Sequence, residues 1–186
     1  MPLPSSAILQ RLRTETRPYH EPLEQNEFNQ ALQAGTVSRA LTEKFLAKLY
    51  GFLLPYETHL RQQVFSPAWQ ISDRFRSSLI LLDLASPPDV LPVCTDMPPL
   101  DSWPQLAGAM YVLEGSTLGG QVIARQLEKA NIPLRTYFTG RAERTGPLWK
   151  SFCEQLTLAT SPSMEEEVVE SASLTFQKLH AWIKQP

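Results

Sequence analysis

Apolar residues recur at helical spacing along most of the chain. Ile8, Leu9 and Leu12 share one face of a first helix, which Ser5 or Ser6 is placed to cap. Gly35-Thr36 closes one segment and opens the next. There Leu41, Phe45, Leu49, Phe52 and Leu53 run on toward Tyr56 and Leu60. A shorter segment, Ser72 to Leu84, carries Phe75, Leu79, Leu82 and Leu84. Leu106 to Ala130 is apolar and rich in small residues at the same period. Pro147, Leu148, Phe152, Leu156 and Leu158 predict another helix. Ser163 with Glu166 three residues on reads as a capping box. It opens a last helix with Val168, Ala172, Phe176, Leu179 and Ile183 on one face. No stretch shows sustained period-two alternation between hairpin turns. The pattern predicts an all-α architecture of about six to eight helices.

Composition narrows this. A chain of 186 residues fits one domain, 1–186, with enough length to bury a real core. Pro87, Pro88, Pro92, Pro98, Pro99 and Pro104 crowd one stretch with Asp89, Asp96 and Asp101, so it reads as an extended surface connection. The balance of 17 basic against 19 acidic residues gives a net charge of −2, with no basic block to serve a nucleic-acid backbone. No apolar run is long enough to cross a membrane. The start, Met1-Pro2-Leu3-Pro4-Ser5-Ser6, lacks the features of a secretory leader. Cys94 and Cys153 form no disulfide framework and no CxxC motif, which fits a reducing compartment. The expectation is a soluble cytoplasmic protein.

Two constellations could carry chemistry. His20 has Glu24 one helical turn later and Arg13 two turns earlier, on the same face of an ideal helix. An imidazole that binds a metal through Nε2 needs an acceptor for Nδ1–H, which Glu24 could supply. A cation two turns away suits a carboxylate on the rim of a large planar ligand. A merely solvated face accounts for the same residues, since Glu15, Arg17 and Glu21 lie nearby. Pro18 and Pro22 flank His20, and Pro22 cannot donate to the carbonyl of residue 18, so a kink is expected there.

The second constellation is Tyr111-Val112-Leu113-Glu114-Gly115-Ser116-Thr117-Leu118-Gly119-Gly120-Gln121-Val122-Ile123. Its three glycines make the helix easily kinked and leave one face bare. Close helix packing is one use of such a face; backbone approach to a flat ligand is the other. A haem sandwiched between two helices requires one axial histidine and one glycine-lined helix, and this chain has a candidate for each.

Leu12-Arg13, Thr16, His20 and Leu23-Glu24 together resemble the proximal-helix signature of the haem oxygenases. The segment Tyr111–Ile123 resembles their glycine-rich distal helix, most closely that of the bacterial, biliverdin-producing enzymes associated with bacteriophytochromes. Tyr137-Phe138-Thr139-Gly140, Thr145-Gly146-Pro147-Leu148-Trp149, Phe152, Thr175-Phe176 and Leu179-His180-Ala181-Trp182 extend the resemblance over nearly the whole chain. It implies a single-domain all-α fold holding haem, as cofactor and substrate, between a proximal and a distal helix. It further implies oxidative opening of haem to biliverdin, carbon monoxide and iron, using O2 and electrons from a ferredoxin or reductase. A bacteriophytochrome would receive the product.

The resemblance makes His20 the axial ligand of the haem iron, Glu24 its hydrogen-bond acceptor, and Arg13 the partner of a propionate. Gly115, Gly119 and Gly120 match glycines whose backbone lies against the distal face. Gly115, Ser116 and Gly119 thereby become the catalytic positions. Tyr111, Arg125, Lys178 and Lys184 are candidates for the remaining haem contacts. Animal haem oxygenases follow the first of these glycines with an aspartate that orders water. This chain has Ser116 there, whose hydroxyl hydrogen-bonds but carries no charge. That substitution keeps a second reading open, a haem carrier of the same fold without turnover.

Overall fold

Ser6 accepts the backbone N–H of Leu9 at 3.4 Å and starts α1 (Ala7–Glu15). Ser5, the other candidate cap, and the segment read for a leader (apart from Ser6) lie outside the described residues, 6–186, of this computed structural model. The Thr16 hydroxyl donates to the Leu12 carbonyl at 2.6 Å, and the chain turns there into α2 (Arg17–Glu24), which carries His20. Pro18 sits in the first turn of α2, where its fixed φ and missing N–H cost nothing. The expected break therefore falls at Thr16, while Pro22 is carried inside α2.

Asn26 caps α3 (Glu27–Ala34), which ends on Gly35 in the left-handed region, φ 69°. Ser38 then caps the 23-residue α4 (Arg39–Arg61), and α5 (Ser77–Asp83) follows two short 3₁₀ turns. The Pro-rich connection is more than a surface strap. It holds one 3₁₀ turn, Pro88–Val90, and its Cys94 N–H donates to the Gly51 carbonyl at 2.9 Å. Cys94 and Leu100 are buried, so this stretch covers part of the core.

Past it run α6 (Trp103–Gly115), a 3₁₀ turn Ser116–Gly119, and α7 (Gly120–Lys129). The short α8 (Thr136–Thr139), then α9 (Thr145–Ala159) and α10 (Glu165–Lys184), complete the chain. The described residues thus form ten α-helices, all-α as predicted, against the six to eight expected. The surplus comes from the breaks at Thr16 and at the glycine turn, and from single-turn elements that leave no periodic trace. The capping box also lies elsewhere. Ser102 and Gln105 form it at the start of α6, whereas Ser163 pairs with the Ser161 hydroxyl and α10 starts with three acidic residues facing its dipole. Leu82 and Leu158, two of the apolar residues in the helical pattern, are 73% and 80% exposed, because the apolar period runs on past the packed face.

One core gathers these elements, with α10 laid along α6 at its centre. The closest approach is at Gly108, where a Cβ would meet the Val168 carbonyl at 2.5 Å and the Ala172 nitrogen at 2.6 Å. Both obstacles are backbone, so neither can rotate away. Gly108→Val should therefore force α6 and α10 apart and cost at least about 1–3 kcal/mol. In thermal unfolding that is a fall of about 2–4 °C for each kcal/mol in a chain of this size. An unchanged Tm would contradict the packing.

Candidate functional site

One cavity is roofed by the junction of α6 and α7, with α2, α4, α8 and α10 around it. His20 and Glu24 line it from one side, and Gly115, Ser116, Gly119 and Gly120 from the other. Phe45, Leu49, Ile123 and Leu179 supply apolar wall between them. The helix break that the glycines permit is what brings backbone, instead of side chains, to this face.

His20 is about half exposed, with its ring edge-on to Phe176 at 5.3 Å between centroids. Glu24 Oε1 stands 3.5 Å from Nε2. That is the nitrogen assigned above to a metal, whereas Glu24 was assigned to Nδ1. The reason is geometric: an i+4 carboxylate meets the tip of the imidazole more readily than its base. At 57% side-chain exposure Glu24 is free to swing aside, and coordination through Nε2 requires that it does.

The glycines divide by role. At Gly119 no atom lies within 4 Å of where a Cβ would stand, so this backbone faces open space. At Gly120 a Cβ would meet the Phe138 carbonyl at 2.4 Å, so its missing side chain admits α8. Gly115 would make only an ordinary contact with Trp149, at 3.5 Å. Ser116 donates its hydroxyl to the Leu113 carbonyl at 2.7 Å and stands beside the Tyr137 hydroxyl.

Two assigned residues lie apart from this cavity. Tyr111 packs its half-buried ring against Trp149 at 5.7 Å between centroids, and it does not line the site. Arg13 is exposed on α1 and also does not line the site; the break at Thr16 interrupts the two-turn register that linked it to His20. Among the described residues Arg13 has no carboxylate partner. Arg125, an outside candidate, bonds the Gln121 carbonyl on its own helix.

A buried polar cluster behind the glycine turn went unread in the sequence. Arg74 donates from Nη1 to Glu114 Oε2 at 2.6 Å and from Nε to the Trp69 carbonyl at 2.6 Å. Arg76 donates from Nη2 to the Leu113 carbonyl at 2.6 Å and lies over the Tyr137 ring. Glu57 accepts the N–H groups of Arg76 and Ser77 at 2.6 and 2.9 Å, and the Ser77 hydroxyl at 2.5 Å. It thereby satisfies the amino end of α5 with a charge of the right sign. Arg74, Arg76 and Glu114 all line the cavity while remaining about 95% buried. One signal was available: Glu114 is the sole charged residue between Asp101 and Arg125, and a lone charge in an apolar helix needs a buried partner.

Burial also holds the hydroxyls of Tyr56, Tyr111 and Tyr137 above the usual tyrosine value of 10.0. A raised folded-state pKa stabilises fully below the unfolded value and is lost as pH climbs through the folded one. Unfolding free energy should therefore fall as pH rises past about 10, and tyrosinate absorbance should show Tyr56, Tyr111 and Tyr137 ionising late. Absence of any late-ionising fraction in the folded protein would contradict the burial. Removing one member of the Arg74–Glu114 pair should be more costly. Glu114→Ala is expected to cost about 3–5 kcal/mol in chemical denaturation, with most of it recovered when Arg74→Leu and Glu114→Leu are combined. A loss below about 1 kcal/mol for Glu114→Ala, the scale of an exposed pair, would contradict this.

Residues 6–79 match the family model described as Heme oxygenase. No curated protein matches the chain. Among solved structures, a heme oxygenase from Leptospira interrogans superposes with a TM-score of 0.78 at 16% identity, covering 96% of this chain and 98% of that one. Among the described residues no helix is long and apolar enough to cross a membrane. By residues 6–79 the chain matches the haem oxygenase family, and over nearly its whole length it has the all-helical, single-domain fold of a haem oxygenase.

Proposed function

We propose that this protein is a haem oxygenase: it binds haem in the cavity between α2 and the α6–α7 junction and opens it to biliverdin, carbon monoxide and iron. One observation carries the reading. A single imidazole and a bare stretch of glycine backbone face the same apolar cavity, in a chain with this fold. The donor set suits haem. His20 offers an imidazole nitrogen instead of a thiolate, aliphatic and aromatic side chains form much of the wall, and Gly119 leaves room for a flat ring. When bound, haem would supply the O2 chemistry and be consumed by it.

The protein's own part is binding, orientation and exclusion. His20 would hold the iron once Glu24 has moved off Nε2, and Glu24 would then stay close enough to hold the ring's orientation. Backbone at Gly115 and Gly119 would limit how an iron ligand on that side can lean. Ser116, already donating to Leu113, would act there as an acceptor. Arg13 and Tyr111 lie outside the cavity lining, so contact with a propionate would require haem to protrude from it toward α1. Electrons would come from a ferredoxin or separate reductase, since the chain carries no dinucleotide fingerprint. The Ser116-bearing distal segment favours the bacteriophytochrome-associated type, acting in the cytoplasm and handing biliverdin to a bacteriophytochrome.

His20→Ala should abolish biliverdin formation while leaving at most weak uptake of hemin into the apolar cavity. The check is an absorption titration with hemin followed by turnover under air with reductant. Normal turnover by the variant would overturn the assignment of His20.

A further inference from the structure

A line of aromatic rings leaves the glycine turn and crosses the molecule. The Trp149 ring lies 3.5 Å from where a Gly115 Cβ would stand, one layer of backbone away from the cavity. Behind it Phe152 stacks at 5.7 Å between centroids, Trp69 meets Phe152 at 6.1 Å, and Trp103 meets Trp69 at 5.1 Å. Phe152 and Trp69 are buried. The far end is open: Trp103 is half-buried and, with Trp69, lines a second cavity at the start of α6. Packing alone would be served by any apolar rings. Here three of the four are indoles, which give up an electron far more readily than benzene. The charges favour the outer end for a positive charge. Among the described residues Asp101 is the sole charged one lining the second cavity, and beside it Glu167 accepts the Ser102 hydroxyl at 2.8 Å. Trp103 Nε1 donates to the Ala159 carbonyl at 3.1 Å, an acceptor that steadies an indole short of an electron. Arg74 lies over Phe152, but Glu114 matches its charge. Burial pushes the Cys153 thiol up to about 12, so no thiolate next to Phe152 drains the line.

We propose that Trp149, Trp69 and Trp103 form a relay that carries oxidising equivalents from the cavity to the protein surface. This rests on the haem reading, because an iron porphyrin beside Gly115 is the source of those equivalents when hydrogen peroxide reaches it. Peroxide takes up two electrons and two protons and leaves as two waters. Each electron is drawn from Trp149, which is refilled from Trp69, and Trp69 from Trp103. Trp103 ends each pass one electron short, and its Nε1 proton is released to solvent. A small one-electron donor of the ascorbate class, entering the second cavity, returns the electron and the proton. Two passes reduce one peroxide, and the oxidising power is spent at the surface instead of on the residues around the haem.

The test treats hemin-loaded protein with hydrogen peroxide and maps oxidised residues by peptide mass spectrometry, beside apoprotein treated alike. Hemin uptake is read first, from the Soret band. Trp103 should be oxidised in the loaded protein well beyond its level in the apoprotein. Trp69→Phe keeps an aromatic ring in place but breaks the relay. It should return Trp103 to the apoprotein level and shift oxidation to Trp149. Should Trp69→Phe fail to fold, Trp103→Phe, at a half-buried position, decides alone by leaving Trp69 and Trp149 oxidised in its place. Equal oxidation of Trp103 in loaded protein and apoprotein would overturn the relay and leave the haem reading standing. So would Trp103 oxidation that survives in folded Trp69→Phe, the mark of an oxidant diffusing through solvent. Oxidation that collects on Tyr111, the branch ring 5.7 Å from Trp149, while Trp103 stays intact would overturn it as well. Parent protein that takes up no hemin would contradict the haem reading, and this inference with it.

Discussion

A single carboxylate placed in the most apolar helix constrains much of the molecule. Glu114 is 5% exposed one residue before the glycine turn, and an unpaired charge at that depth would cost several kcal/mol. Arg74 is the answer, and it can reach Glu114 only if the segment following Trp69 is drawn under the end of α6. With that segment in place, Arg76 is carried to the Leu113 carbonyl, and the start of α5 is laid on Glu57 of α4. The pair thus ties α4, α5, α6 and, through the Leu148 carbonyl, α9 into one frame. That frame is also the back wall of the cavity, so fold stability and site chemistry share residues.

The front of the cavity rests on a different constraint, the absence of side chains. Gly120 lets α8 approach to backbone contact, and Gly119 keeps the opposite space empty. The 3₁₀ turn between α6 and α7 follows from this division, since Ser116 and Thr117 tie their hydroxyls to carbonyls three residues back. Glycine in this turn therefore serves packing at one position and openness at another.

Much of this was legible in the sequence. The helical period foretold an all-α fold; residue type and spacing left the Gly115–Gly120 segment open between close helix packing and a ligand face, and it was the family resemblance that set it opposite His20. What was not legible depends on three-dimensional direction. The register from Arg13 to His20 assumed one continuous helix, but Pro18 favours starting a new one after Thr16. The partner of Glu24 depended on which ring nitrogen an i+4 carboxylate reaches. The Tyr56, Glu57, Arg74, Arg76 and Glu114 cluster assembles from three distant segments, so no local pattern announces it; only Glu114, isolated among apolar residues, hinted at a buried partner. The Ser102 capping box was missed because Pro104 made its surroundings read as part of the extended connection.

The central claim is that this cavity receives haem and that the protein turns it over. The most direct measurement is an absorption titration of the whole chain with hemin, followed by ferredoxin and its reductase, or ascorbate, under air. A Soret band that forms at one equivalent and then decays as the broad red absorbance of biliverdin grows is the predicted result. A Soret band that persists through reduction would contradict turnover, and no Soret band at all would contradict the site itself.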